Sequence, residues 1–383
     1  MDHTPMNRST IGLHHQSSTS SGAPPPSPRV LAIDALRGFV MFWIIGGEYI
    51  FKAFDRGVGS PATQWISSQL DHSPWYGFTF YDIIMPLFMF LVGVSMVYST
   101  SKRLAADPSH RRLWKHIVIR IALLWLFGMM VQGHLLSYDI EKIALYSNTL
   151  QAIAAGYLIA SLITLYLPRL WQAAATVGLM LAYWAVFAFV PGPGAPYDPE
   201  GNIALHIDKL ILGNFQDGTT YTWILSSLNF GATTMLGAFT AYILRAGWRP
   251  TRTLMILASG GVGLLLLSFA WMPLHPMVKH LWTGSFVLFS GGVCLLMLSV
   301  FYVLTDILGY KSWTAGLVVI GSNAIFAYVT SHLFDYTSVA RVFLDGLEQY
   351  SGPWQWFILS LGGFAVLYGV LYTMHRKKIF IKI

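Results

Sequence analysis

The chain has 383 residues, 55% of them hydrophobic and only 11% charged, with a formal net charge of +7. An average soluble domain carries about 25% charged residues, so this composition excludes a soluble enzyme and indicates an all-α polytopic membrane protein. The basic excess is expected to reflect topology and anionic membrane lipid, and gives no reason to invoke nucleic acid.

A bilayer core about 30 Å thick needs roughly 20 apolar residues per helical span. Ten stretches meet that length, at about 30–50, 80–100, 113–132, 147–167, 171–190, 223–245, 252–273, 281–305, 313–334 and 354–374. Residues 1–28 are rich in Ser, Thr, Pro and His and lack an apolar run, so they read as a disordered cytoplasmic tail. No linker divides the spans, and residues 29–383 are expected to form one ten-helix domain. With the N-terminus inside, eighteen of the 24 Lys and Arg fall on the inner side. Only Lys52, Arg56, Lys142, Lys209, Lys279 and Arg341 fall outside. Both termini are therefore expected in the cytoplasm, with the chain in a bacterial inner membrane. The only cysteine, Cys294, lies within an apolar span and excludes an internal disulfide or thiolate cluster. No HxxxH or HExxH spacing supports a metal.

In the first span Asp34 and Arg37 share a helical face, as a structural ion pair or as part of a site. Glu48 follows fourteen residues after Asp34, close to four helical turns, and is expected on that face near the outer boundary, where Gly46 and Gly47 allow close backbone approach. The segment DHSPWYGFTFYDIIMPLFMFLVG then puts His72 in a short outer loop, Asp82 at the start of the second span and Pro86 just inside it. Ionisable groups at membrane depth are costly and are site candidates by default. An imidazole beside a carboxylate can act as a general base near neutral pH, which suits acyl transfer. Taken singly, His72 also fits a surface loop, and Asp82 a helix N-cap.

The longest outer loop, about 191–222, carries Ile203, Ile207, Leu210 and Ile211 at helical spacing, which predicts a short amphipathic helix on the outer face or over a cavity. His134, Asn148, Gln151, Asn229, His280, Trp282, Asn323 and His332 sit at outer helix ends, where each also suits a cap or an interhelical hydrogen bond. Arg120, Arg245, Arg249 and Lys311 sit at inner helix ends, where positive-inside topology accounts for them and where they also suit nucleotide phosphates.

Taken together, RVLAIDALRGFVMFWIIGGE, the His72 segment, PYDPEGNIALHID, TMLGAFTAYIL, LWTGSFVLFSGG and GSNAIFAYV resemble the transmembrane acyltransferases related to heparan-α-glucosaminide N-acetyltransferase. The resemblance runs from about Arg29 to the last span. It implies that an acetyl group of cytosolic acetyl-CoA passes to a glucosamine amine across the membrane, with His72 as the essential histidine. Asp34, Arg37 and Gly38 match the family's entry motif, Asp82 and Pro86 its second-helix motif, Gln151 a glutamine at the fourth span and Asn323 its GxN signature. The lysosomal members are similar but carry asparagine at the position of Glu48 and arginine at that of Ala152.

The expected enzyme uses His72, Asp82 and Glu48 in catalysis and Trp75, Gln151, Trp282 and Asn323 against an amino sugar or glycan. Arg120, Arg245, Arg249 and Lys311 hold acetyl-CoA, while Asp34, Arg37 and Pro86 are structural. Direct transfer and an acetyl-histidine intermediate are both open. A secondary transporter of a sugar or acid is the alternative, since ten spans allow two inverted halves. Apolar helix faces suit lipid or a second copy in a homodimer equally well.

Overall fold

The computed structural model describes Met1 and residues 30–381. Apart from Met1, the tail expected over 1–28 lies outside the described residues. The helices are α1 (Leu31–Phe42), α2 (Glu48–Val58), α3 (Pro61–Gln69), α4 (Ile84–Ala106), α5 (His110–Val131), α6 (Thr149–Tyr166), α7 (Arg169–Phe189) and α8 (Ile203–Leu212). They continue as α9 (Ser227–Leu244), α10 (Pro250–Trp271), α11 (Gly284–Tyr302), α12 (Ala315–Ser322), α13 (Ala324–Leu333), α14 (Tyr336–Leu344), α15 (Glu348–Ser351) and α16 (Gln355–Arg376). Among the described residues the only β-pairing is an isolated bridge between Tyr76 and Val278.

The all-α membrane architecture is as expected, but the count of ten spans is not confirmed. Among the described residues seven segments are long and apolar enough to cross a bilayer, and α12 with α13, bent by 65°, makes an eighth if the pair is one span. The two stretches that fall short have identifiable causes. The first is interrupted by a π-helical turn over Trp43–Gly47, where Gly46 leaves helical geometry at φ 174°. The second, α9, is an 18-residue helix whose apolar character is diluted by Asn229, Thr233, Thr234 and Thr240.

The most buried span contains α4, with 78% of its window inside the protein. It packs backbone to backbone against α9. A Cβ on Gly93 would lie 1.9 Å from the Thr234 carbonyl oxygen, and one on Gly237 1.9 Å from that of Phe90. Small residues permit this approach where lipid gives helices no hydrophobic reason to associate. Gly38 of α1 meets Leu317 of α12 in the same way, at 1.8 Å. Gly93→Val or Gly237→Val is therefore expected to abolish folding. Gly178→Val, whose added atoms enter open space, should give a normal monodisperse peak in detergent size-exclusion chromatography.

Candidate active site

His72 and Asp82 lie at the two ends of one short loop, and the hydrogen bonds of Asp82 close it. Asp82 Oδ2 accepts from the Ser73 amide at 3.2 Å, the Thr79 amide at 3.1 Å and the Thr79 hydroxyl at 3.1 Å. Its Oδ1 lies 2.9 Å from His72 Nδ1. The N-cap of the turn is Thr79, and Asp82, expected there, stands instead at the third position of the turn, where it closes a capping box with Thr79 and is also the partner of the imidazole. The carboxylate is fully buried, while the His72 side chain is 43% exposed. Buried Pro86 falls in the first turn of α4, where its missing N–H costs little.

A third group completes the cluster. Lys279 Nζ lies 2.7 Å from His72 Nδ1 and 3.0 Å from Asp82 Oδ1, and the residue is only 4% exposed. It reaches this position from a tight turn between α10 and α11. The Trp282 amide donates to the Lys279 carbonyl at 2.9 Å, and the Thr283 amide to the Val278 carbonyl at 3.2 Å. Trp282 adopts φ 50°, a left-handed conformation rare for a bulky residue. Asn229 Nδ2 donates to the Trp282 carbonyl at 2.7 Å, and the indole donates to the Thr233 hydroxyl at 3.0 Å. The polar residues that dilute α9 thus hold the Lys279 turn. The His72 loop docks on that turn through Gly77, whose amide donates to the Met277 carbonyl at 3.2 Å and whose φ of 105° suits glycine.

His72, Lys279, His280 and Trp282 line a cavity of about 380 Å³. Much of its wall is aromatic, with Tyr49, Tyr81, Tyr221, Trp223 and Tyr328. The long 191–222 loop supplies part of that wall, and its expected helix is α8. The exposed Leu210 and Ile211 face away from the core, while buried Asp208 accepts from the Trp223 amide at 2.6 Å and the Ile224 amide at 3.0 Å. Burial pushes Asp208 up to about 6 against those hydrogen bonds.

A second cavity, of about 520 Å³, is lined by Arg37, Arg103, His116, Arg120 and Tyr157 together with apolar residues of α4 and α13. The two cavities are lined in part by the same two helices. On α4, Met85 lines the first and Phe88 the second; on α13, Tyr328 lines the first and Ile325 the second. Three residues of helix separate each pair, a rise of about 4.5 Å.

Residues 29–192 match the family described as "Heparan-alpha-glucosaminide N-acetyltransferase, catalytic". The human heparan-alpha-glucosaminide N-acetyltransferase is 22% identical over 423 aligned residues, covering 93% of this chain. Both likenesses point to the family related to that enzyme. The chain spans 60% of the human protein's length.

In the structure the expected site residues separate into groups. His72, Asp82 and Trp282 come together at the first cavity. Trp75 stands behind it, packing on the His280 ring at 5.2 Å and donating to the Tyr197 carbonyl at 3.0 Å. Glu48 accepts from Lys52 at 2.7 Å and interacts electrostatically with Tyr81, whose ring lies 5.0 Å from that of His72. It therefore reaches the imidazole only through Tyr81. Gln151 is fully buried, accepting from the Ser147 amide at 2.8 Å and donating to the Leu145 carbonyl at 2.6 Å. Asn323, at the α12–α13 break, donates to the Ile379 carbonyl at 3.0 Å and accepts from the Ile381 amide at 2.8 Å, tying down the segment after α16 beside the second cavity.

Of the four basic residues expected to hold a nucleotide, Arg120 lines the second cavity and the other three do not. Arg245 donates to the Ser101 hydroxyl at 2.5 Å, Arg249 is the N-cap position of α10, and Lys311 that of a 3-10 turn. Arg37 is both the partner of Asp34 at 3.4 Å and a cavity wall. The residue that sequence reasoning missed is Lys279. Its one signal was a lysine on the lysine-poor side, inside the apolar string HPMVKHLW.

Proposed function

We propose that the chain is a membrane-bound acyltransferase that moves an acetyl group from cytosolic acetyl-CoA to the amine or hydroxyl of an amino sugar or other glycan on the opposite face. Both termini are cytoplasmic in this reading, and the membrane is the bacterial inner membrane. The observation that carries it is the pair of cavities that share α4 and α13 as walls, one walled by Arg37, Arg103 and Arg120, the other containing the His72–Asp82–Lys279 cluster.

Arginine forks suit the phosphates of the donor. The thioester end then extends along Phe88 and Ile325 toward the first cavity. On the other side, flat aromatic rings offer apolar faces to a sugar, and Thr219, Thr222 and Asp217 offer polar edges. His72 takes the proton that the acceptor loses once its nitrogen or oxygen has bonded to the acyl carbon, and Asp82 holds the ring for that transfer. In this scheme Glu48 acts on the acceptor cavity through Tyr81, and Trp75, Gln151 and Asn323 support its walls. Faces of α5, α7 and α10 rich in exposed apolar residues meet lipid or a second copy.

Purified protein supplied with acetyl-CoA and glucosamine tests the reading. Release of free CoA with formation of the N-acetyl product is expected, and His72→Ala should lose both. Uptake of labelled sugar into vesicles without CoA, and no CoA release by the wild type, would replace the enzyme with a transporter.

A further inference from the structure

Nδ1 of His72 has two neighbours that compete for one hydrogen. Asp82 Oδ1, 2.9 Å away, only accepts; Lys279 Nζ, 2.7 Å from Nδ1 and 3.4 Å from Nε2, donates when it is an ammonium and accepts when it is an amine, and Nδ1 is the nearer of the two nitrogens. The 3.0 Å contact between Lys279 and Asp82 closes the triangle. An ammonium at Lys279 makes Nδ1 an acceptor and leaves the imidazole proton on Nε2. A neutral amine lets Nδ1–H point at Asp82 and frees the Nε2 lone pair.

We propose that Lys279 is a positioning residue that selects which nitrogen of His72 carries the proton and stores that proton during turnover. The proposal rests on the acyl-transfer reading above. As the acceptor's bond to the acyl carbon forms and the C–S bond breaks, Nε2–H gives its proton to the departing thiolate, and Lys279 gives one to Nδ1. Lys279 is then a neutral amine, Nδ1–H faces Asp82, and Nε2 holds a free lone pair. Nε2 takes the proton lost by the acceptor, and Nδ1 returns its own to Lys279. One proton has left the acceptor and one has reached the thiol, so the cluster ends as it began.

The surroundings favour an amine that can change charge. Burial pushes the Lys279 ammonium down, against the pull of Asp82. His280, on the same turn, is pushed down to about 4 by burial and by Lys279, and Tyr221, stacked on it at 3.9 Å, is pushed up to about 12 by burial, so both stay neutral. Tyr81 presents a ring to His72. Asp82 is thus the one carboxylate in contact with Lys279 among the described residues.

Lys279→Arg and Lys279→Met separate this role from a plain counter-ion. Arginine keeps the positive charge but cannot release a proton, so its rate should fall on the order of 10³-fold, the scale of lost acid–base catalysis. Methionine removes the proton store but leaves an ordinary Asp–His pair, so its rate should fall less than that of the arginine variant, with a changed acidic limb in the pH profile of kcat/KM. A counter-ion role predicts the reverse order, and an active arginine variant beside a dead methionine variant overturns the proposal. A second readout needs no turnover. 15N spectra of labelled histidine, assigned with His72→Gln, should show the proton on Nε2 in wild type and on Nδ1 in Lys279→Met. The same tautomer in both would also overturn it, whatever becomes of the acyltransferase assignment.

Discussion

Asp82→Ala is expected to cost about 3–5 kcal/mol of stability, the scale for breaking a buried ion pair by removing one partner, and to abolish acyl transfer. The change strands the Lys279 ammonium, which is 4% exposed, and leaves the Ser73 and Thr79 amides without their acceptor. The loop that carries His72 loses the bonds that close it, so loss of activity in the alanine variant mixes unfolding with chemistry. Asp82→Asn separates them. An asparagine oxygen can still cap the turn, while the charge facing Lys279 and the firm acceptor for Nδ1–H are gone. Its melting temperature should fall less than that of Asp82→Ala, while the rate should still fall roughly 10²- to 10⁴-fold. Parallel melting curves and initial rates in detergent check this. A normally active Asp82→Asn would dissociate the carboxylate from the chemistry.

The His72–Asp82 pair was legible because eleven residues of local sequence contain both partners and the turn that joins them. Lys279 was not, because it stands 207 positions along the chain from His72, and only the left-handed turn at Trp282 aims it inward. Glu48 shows a different limit. Counting fourteen residues as four turns assumes an unbroken α-helix, whereas the π-helical turn at Trp43–Gly47 resets the register before Glu48. Gln151 and Asn323 stood out correctly as polar groups among apolar ones. Composition cannot tell whether such a group faces a ligand or a backbone, and here backbone amides and carbonyls take both. The membrane fold was readable from apolar length alone. The number of crossings was not, because α1 and α9 are shortened by a kink and by hydroxyls, features that pack the site.

Arg120→Met is expected to raise KM for acetyl-CoA about 10- to 100-fold, or ~1.4–2.7 kcal/mol of donor binding, with kcat little changed. Four basic residues were candidates, and inner-face topology explained them all equally well. Only Arg120 lines the cavity, with its guanidinium 4.6 Å over the Tyr157 ring. Its Nε is buried and finds no acceptor among the described residues. A charge held that way costs the fold more than it returns, so methionine of similar length should leave the melting temperature unchanged or raised. The combination of weaker donor binding with undiminished stability is what a ligand-facing arginine predicts. A structural arginine predicts the opposite pair, a lower melting temperature at constant KM. Arg245→Met is the internal control. That side chain is satisfied by Ser101 at 2.5 Å outside the cavity, so its loss should leave KM where it was. Equal KM shifts in both variants would mean that the donor reads the general positive charge of the face rather than this cavity.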